Sequence, residues 1–457
     1  QGQRRRGQRR QRRQPARRGG GKMAEGGDTQ TTATHELQAE EELRVEVDWG
    51  ATVFLTLVKG SAEIFGTEVA VGQRISLSGE KVAVFTWTGA TVQIEGAPEV
   101  VYASSETLMV PYANTHEALE ARRRAARTAG AAGGPGGAGG QPQGPRTIIV
   151  GPTDVGKSTL CRVLLNYAAR LGWQPTLLDL DIGQGTVTIP GTLAAAPVEA
   201  PAAAEEGLRA EAPLVYFFGH TSPSERPELY KQLLARLVGT LESRAETAGP
   251  LVRSSGWLIN TMGWVEGLGY QMLLHTIDVT KADVVLVLGQ ERLYSQISTA
   301  MKSRKGVEVV KLPSSPGAVP RNTDYRRKSR MQRVREYFYG PKNDMSPHSS
   351  SARFDELQVY RVGGAPRAPS SALPIGAEAK QDPLKLTKVQ WAPDMVHSVL
   401  AVSHAETVDD VLRTNVAGFI YVTDVDVTKG RVTYMAPCPG PLPGKLLLTG
   451  SIKWLES

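Results

Sequence analysis

The residues that could do chemistry begin with Gly151-Pro152-Thr153-Asp154-Val155-Gly156-Lys157-Ser158, a G-x-x-x-x-G-K-S stretch. It follows the apolar run 147–150 and leads into an amphipathic run through Leu165 and Tyr167 to Leu171. Strand, glycine turn and helix start are the context a phosphate cradle requires. Gly151 and Gly156 let the backbone turn tightly, so that its N–H groups point inward, and a helix starting near Lys157 adds its positive end. Lys157 would reach the β- and γ-phosphates, and the Ser158 hydroxyl would ligate Mg²⁺. The pattern implies a nucleoside triphosphate site.

A carboxylate is needed opposite the phosphates. Asp181 closes the apolar run that starts at Thr176, which places it at the carboxyl end of a strand, where α/β proteins bind ligands. There it could hold Mg²⁺ through water or take a proton from an attacking hydroxyl. Asp179 points to the same face and is the second choice; a solvated strand-end aspartate is the bland alternative. Residues 320–339 carry Arg321, Arg326, Arg327, Lys328, Arg330, Arg333 and Arg335. Helical spacing predicts that Arg326, Arg330 and Arg333 share one side, with Arg321 on the loop before it. Cations closing over phosphates stabilise the transferring group and exclude water, which points to an acceptor other than water. An ordinary basic surface helix is the competing reading. Trp264 ends the run 257–264 and offers a face for stacking a base, or else a core edge. Thr280-Lys281-Ala282-Asp283 imitates a guanine-reading loop but precedes its strand instead of following it, so adenine is expected.

These residues need a scaffold. Short, often alternating runs between 42 and 102, punctuated by glycines, predict an N-terminal antiparallel β-sandwich. Asn114-Thr115-His116-Glu117 has capping-box spacing and predicts a helix start, followed by Arg122, Arg123, Arg124 and Arg127 as a solvated basic face. Residues 129–145 are almost all Gly, Ala, Pro and Gln, a flexible linker. Continuous apolar strands alternating with helical runs from 147 to 312 predict a parallel sheet covered on both faces, with an Ala-rich loop at 194–206. Strand-like runs return after 341. The expected architecture is therefore α/β: a central P-loop domain with a parallel sheet (147–340, basic lid 316–340), flanked by the sandwich (34–112) and a small, mostly-β C-terminal domain (341–457). Residues 113–146 form the helix and linker, and 1–33 a basic, polar leader.

The 457 residues carry a net charge of +7, but the stretch 1–22 holds nine arginines and one lysine without an acid, so the remainder sums to −3. Nucleic-acid binding must then rest on local patches. Met23 follows this leader, which is either an artefact of gene modelling or a genuine basic tail. Two cysteines, Cys161 and Cys438, give neither a disulfide framework nor a zinc cluster, as expected of a reducing compartment. No apolar run approaches the ~20 residues of a membrane span, and no membrane role is expected.

Taken together, G-P-T-D-V-G-K-S-T, L-D-I-G-Q-G, N-T-M-G-W, the basic run ending R-E-Y-F-Y-G and the final L-L-L-T-G-S-I-K-W-L-E resemble the eukaryotic polyribonucleotide 5′-hydroxyl kinases. That family also serves as the ATP-binding Clp subunit of the pre-mRNA cleavage and polyadenylation machinery. The likeness runs from about Thr34 to Ser457 and is greatest to the plant and algal branch. The resemblance implies transfer of the ATP γ-phosphate to a 5′-hydroxyl of RNA, with Mg²⁺, in the nucleus. It gives Asp154, Val155, Gly156, Lys157, Ser158 and Thr159 the phosphate contacts, and Asp181 the activation of the hydroxyl and a share of the metal. It gives Thr261, Gly263 and Trp264 the grip on the RNA end, and Arg321, Arg326 and Arg330 the lid. Glu42 and Lys81 match the positions at which the N-terminal domain closes over the base. Implied partners are other subunits of the cleavage complex and, as a second candidate, the tRNA splicing machinery. Some family members hold ATP without turnover, so an ATP-locked scaffold is the alternative, and a nucleic-acid-stimulated ATPase a third.

Overall fold

A computed structural model of the chain describes residues 32–132, 143–208, 210, 212–363 and 382–456. The basic leader with Met23, and most of the Gly/Ala linker, lie outside the described residues.

The N-terminal domain is a sandwich of two antiparallel sheets. Its strands are β1 (Thr32–Leu37), β2 (Glu41–Glu46), β3 (Val53–Gly60), β4 (Ala62–Ile64), β5 (Thr67–Val69), β6 (Arg74–Leu77), β7 (Lys81–Thr86), β8 (Ala90–Glu95) and β9 (Val100–Ser104). One sheet runs β1-β8-β3-β6 and the other β5-β4-β7-β2-β9. Alternation explains the core: Leu43 and Val45 from one sheet meet Val53, Leu55 and Leu57 from the other, all buried.

The next element, α1 (Met109–Ala132), begins inside the stretch assigned to the sandwich and continues into the one assigned to the linker. The expected cap at Asn114 does not form. Thr115 lies mid-helix and its hydroxyl bonds the Pro111 carbonyl one turn back at 2.8 Å. Pro111 is tolerated because it sits in the first turn, where the missing N–H has no helical partner. The basic face is not wholly solvated either: Arg123 is 1% exposed, and its Nε donates to the Ser255 carbonyl at 3.1 Å. Through α1 the sandwich is held on the central domain and does not hang from a linker. At the linker's far end, Gly144 is packed, donating to the Arg253 carbonyl at 2.9 Å.

The central domain comprises β10 (Arg146–Val150), α2 (Lys157–Arg170), β11 (Thr176–Asp179), β12 (Thr192–Pro197), β13 (Leu214–Phe217), α3 (Pro227–Thr247), α4 (Pro250–Ser255), β14 (Trp257–Asn260), α5 (Leu268–Thr280), β15 (Val284–Leu288), α6 (Glu291–Met301) and β16 (Glu308–Leu312). Its sheet order is β13-β12-β11-β14-β10-β15-β16. Both faces are buried, which is why the strands read as continuous apolar runs. Ile149, Leu177 and Leu258 pack with α2, whereas Ile148, Leu178 and Ile259 pack with α3 and α5. The sheet is mixed rather than parallel: β12 runs antiparallel to both β11 and β13. Its residues Ala194, Ala195 and Ala196 were expected in a loop, but full burial between two strands overrides their weak strand preference.

The basic segment forms α7 (Thr323–Tyr339), and the C-terminal sheet follows: β17 (His348–Arg353), β18 (Gln358–Val362), β19 (Leu386–Val389), β20 (Val399–Ser403), β21 (Val416–Asp426), β22 (Arg431–Ala436) and β23 (Leu446–Thr449), ordered β17-β22-β21-β20-β23-β18-β19. One face of this sheet carries its own core, and the other packs on the central domain through Phe419 and Tyr421. The tail after β23 is wedged into the molecule. A Cβ on Gly450 would lie 2.0 Å from the Gly219 carbonyl oxygen, and Trp454 stacks on Phe338 of α7 at 5.8 Å and 12°.

Candidate active site

β10, β11 and β14 lie side by side and end at one level, with Asn260 opposite both Asp179 and Ile149. Sheet register therefore brings the P-loop and the acidic turn together at the carboxyl edge. Gly151 has no room for a side chain, since a Cβ would lie 2.8 Å from the Leu288 carbonyl oxygen. Gly156 adopts φ 94°, a left-handed turn that suits glycine, and α2 starts immediately after it. No side chain caps α2, so its first N–H groups remain for a phosphate. Lys157 is buried with its ammonium on the Pro152 carbonyl at 2.6 Å. Burial pushes its pKa down to about 8, against the pull of Asp181 and Asp154 and with the help of Arg326.

Asp181 stands half-buried at the base of the cleft. Its Oδ1 accepts the N–H groups of Gly183 and Gln184 at 3.0 and 3.1 Å. Burial, then Asp179, pushes its carboxyl up to about 6. Asp179 is committed elsewhere: its oxygens accept from Asn260 Nδ2 at 3.2 Å and from the Thr186 N–H and hydroxyl at 2.5 and 2.8 Å. Asn260 Oδ1 in turn accepts from Ser158 Oγ at 3.5 Å. Sequence reasoning passed over this buried amide, although a lone polar residue closing the apolar run Trp257-Leu258-Ile259 signals it. The donor set, hydroxyl and carboxylate oxygens without sulfur or imidazole, fits Mg²⁺. Among the described residues no cluster of three or more His, Cys, Asp or Glu forms.

Lys157, Ser158 and Asp181 line a cavity of about 400 Å³, with Asp179 and Asn260 behind them. Its lining takes Asp154, Gly156, Lys157, Ser158 and Thr159 from the P-loop, Asp181 with Gly183 and Gln184 from the acidic turn, and Met262, Gly263 and Trp264 from the segment after β14. Arg321, Arg326 and Arg330 of the lid face in from above. The sandwich supplies the end wall with Glu42, Lys81 and Arg44, while Phe85, Met109 and Tyr112 make that end apolar, as a base requires. Glu42 is buried, bonded to Arg44 Nε at 2.6 Å and to the Thr107 hydroxyl at 2.9 Å, and Lys81 pairs with Glu46. Arg44, within the same motif as Glu42, was missed because its charge gives no hint of facing inward.

Three expected residues stand apart. Val155 turns its side chain toward Gly151 and Gly289, into the core. Thr261 is 2% exposed and its hydroxyl bonds the Ile149 carbonyl at 2.7 Å, so it braces the P-loop strand from behind. Arg333 pairs with Glu336 at 3.0 Å, one turn beyond the arginines on the cavity. The segment 280–283 lies at the opposite edge of the sheet, where Asp283 accepts from the Arg146 N–H at 2.8 Å. Cys161 is buried against the core as a packed thiol.

Fold and site together define a three-domain P-loop nucleotide-binding protein whose phosphate cradle is roofed by a basic helix. Comparison with known proteins agrees. Residues 36–126 match the N-terminal beta-sandwich domain of polyadenylation factor, 151–340 the mRNA cleavage and polyadenylation factor CLP1 P-loop, and 345–456 the pre-mRNA cleavage complex II protein Clp1. The chain belongs to the Clp1 family. It is 49% identical to an Arabidopsis thaliana Protein CLP1 homolog over 92% of this chain and 94% of that one. It is 45% identical to the Homo sapiens Polyribonucleotide 5′-hydroxyl-kinase Clp1 over 94% and 98%. Among solved structures, a wild-type Clp1p–Pcf11p complex shares the fold with a TM-score of 0.79 at 21% identity, over 94% of this chain and 99% of that one.

Proposed function

We infer that this chain is an ATP-dependent polyribonucleotide 5′-hydroxyl kinase and a nuclear subunit of the mRNA cleavage and polyadenylation machinery. The observation that carries the reading is that Lys157, Ser158, Asp181 and the arginines 321, 326 and 330 share one cavity. The apolar sandwich end suits the adenine, and the P-loop N–H groups with Lys157 suit the triphosphate. Mg²⁺, held by Ser158 and Asp181, would supply charge neutralisation on the phosphates. Met262, Gly263 and Trp264 leave the RNA end facing Asp181, whose carboxylate is ionised at neutral pH. In the transfer, the 5′-oxygen bonds to the γ-phosphorus, the bond to the bridging oxygen breaks, ADP departs, and the proton passes to Asp181. Lid arginines hold the three equatorial oxygens and keep out water. RNA with a 5′-hydroxyl end is the substrate, and both the cleavage complex and the tRNA splicing machinery are assemblies that could present it.

The test is transfer of label from γ-labelled ATP to a 5′-hydroxyl RNA oligonucleotide. The parent chain is expected to label the RNA, and Lys157→Ala and Asp181→Ala to lose at least a thousandfold. A parent chain that binds ATP and transfers nothing would instead be a scaffold; release of free phosphate without labelled RNA would make it an ATPase.

A further inference from the structure

Asp154 sits inside the P-loop with φ 58°, a left-handed conformation that Asp and Asn tolerate. Its Oδ2 accepts two bonds from the lid: Arg326 Nη2 at 2.6 Å and the backbone N–H of Arg321 at 3.0 Å. Arg326 Nε donates to the Arg321 carbonyl at 3.1 Å, so one carboxylate oxygen, one guanidinium and the backbone of one residue close a ring. On its other side the lid is held by the sandwich. The Arg321 guanidinium lies over the Tyr325 ring at 5.2 Å, the Tyr325 hydroxyl donates to the Gly79 carbonyl at 3.2 Å, and its ring meets Trp49 at 5.9 Å. Behind them, Gln184 of the Asp181 turn donates to the Arg326 carbonyl at 3.4 Å.

The arginines would not choose this arrangement unaided. Arg330 is pushed below its usual range by burial and by Arg326, so like charges crowd the roof. The ion pair that gathers them at the cleft mouth is Asp154 with Arg326, on side chains 21% and 29% exposed. We propose that Asp154 is the positioning residue of the lid: from within the phosphate cradle its carboxylate fixes where Arg326 and Arg321 stand, so the loop that receives the γ-phosphate also aims the cations that close on it. The catalytic consequence rests on the kinase reading; the positioning itself does not.

Asp154→Asn is the informative variant, because it keeps the left-handed backbone and an acceptor for the Arg321 N–H while removing the charge. Hydrogen exchange over 319–328 is expected to quicken, kcat to fall about tenfold, the loss of one charge-assisted bond, and ATP affinity to stay within about threefold. In an Arg326→Gln background the same substitution should change kcat less than about twofold, since its partner is already gone. Unchanged exchange would overturn the proposal, as would an equal kcat penalty in both backgrounds. So would a fall in ATP affinity and melting temperature in step with kcat, which would mean the carboxylate merely folds the loop. If the parent chain fails to label RNA while exchange still quickens, the kinase reading falls and the positioning stands.

Discussion

At the base of the cleft two ionisable groups are displaced toward each other. Asp181 is pushed up to about 6 by burial and Asp179, and Lys157 down to about 8 by burial. Both are in their charged forms between those values. The carboxylate is the form that accepts a proton, so kcat/KM for ATP should rise as pH passes about 6; the ammonium is the form that holds phosphate, so it should fall as pH passes about 8. A bell with those limbs in steady-state kinetics is the expected outcome, and a flat profile across them would count against both assignments. The same burial carries a stability cost. Asp181 has a higher pKa folded than unfolded, so folding favours its protonated form, and stability is lost as pH rises from about 4 to about 6. Asp181→Asn should therefore stabilise the protein at pH 7.5, by up to about 3 kcal/mol, while abolishing transfer. Thermal unfolding should show the gain at pH 7.5 and its disappearance below pH 4.

Each element carries its chemistry only because its neighbours leave room. Gly263, expected to grip RNA, has a prior duty: a Cβ there would lie 2.6 Å from Thr153 N and 2.7 Å from Thr153 Cα, both backbone atoms of the P-loop. Gly263→Ala should therefore weaken ATP binding at least tenfold by displacing the cradle, as equilibrium dialysis with labelled ATP would reveal; a defect confined to the KM for RNA would return the residue to the RNA clasp alone. The P-loop, its helix and the acidic strand end were legible in the sequence because their spacing is local. What was not legible depended on what lies opposite. Nothing in Ala194-Ala195-Ala196 announces a strand, since its two neighbours in the sheet supply the reason. Thr261 and Trp264 sit in one short motif, yet one faces the core and the other the cleft, because the chain leaves the sheet between them. Arg333 fits the helical period of Arg326 and Arg330 but lies beyond the cavity's reach.

For the molecule as a whole, α1 is the strut that sets the sandwich against the central sheet. Tyr112, Leu119, Arg123 and Ala126 recur at helical spacing and are all buried, so Arg123 occupies an apolar stripe. That periodicity was present in the sequence but masked by the surrounding run of arginines. Arg123 lies 4.0 Å from Glu120, itself 3% exposed in its side chain. Glu120 keeps Arg124 as a partner at 2.8 Å, so what Arg123→Met removes is chiefly the buried bond to the Ser255 carbonyl, and it should cost about 1–3 kcal/mol in denaturant unfolding. Equal stability of parent and variant would show that α1 does not need Arg123. Elsewhere, the ring of Trp454 lies flat on Phe338, bolting the lid helix to a segment that comes much later in the chain. The ribosome thus finishes the arginines long before it supplies their anchor. A chain cut short before Trp454 would keep its cradle whole while its gate had lost its hinge pin.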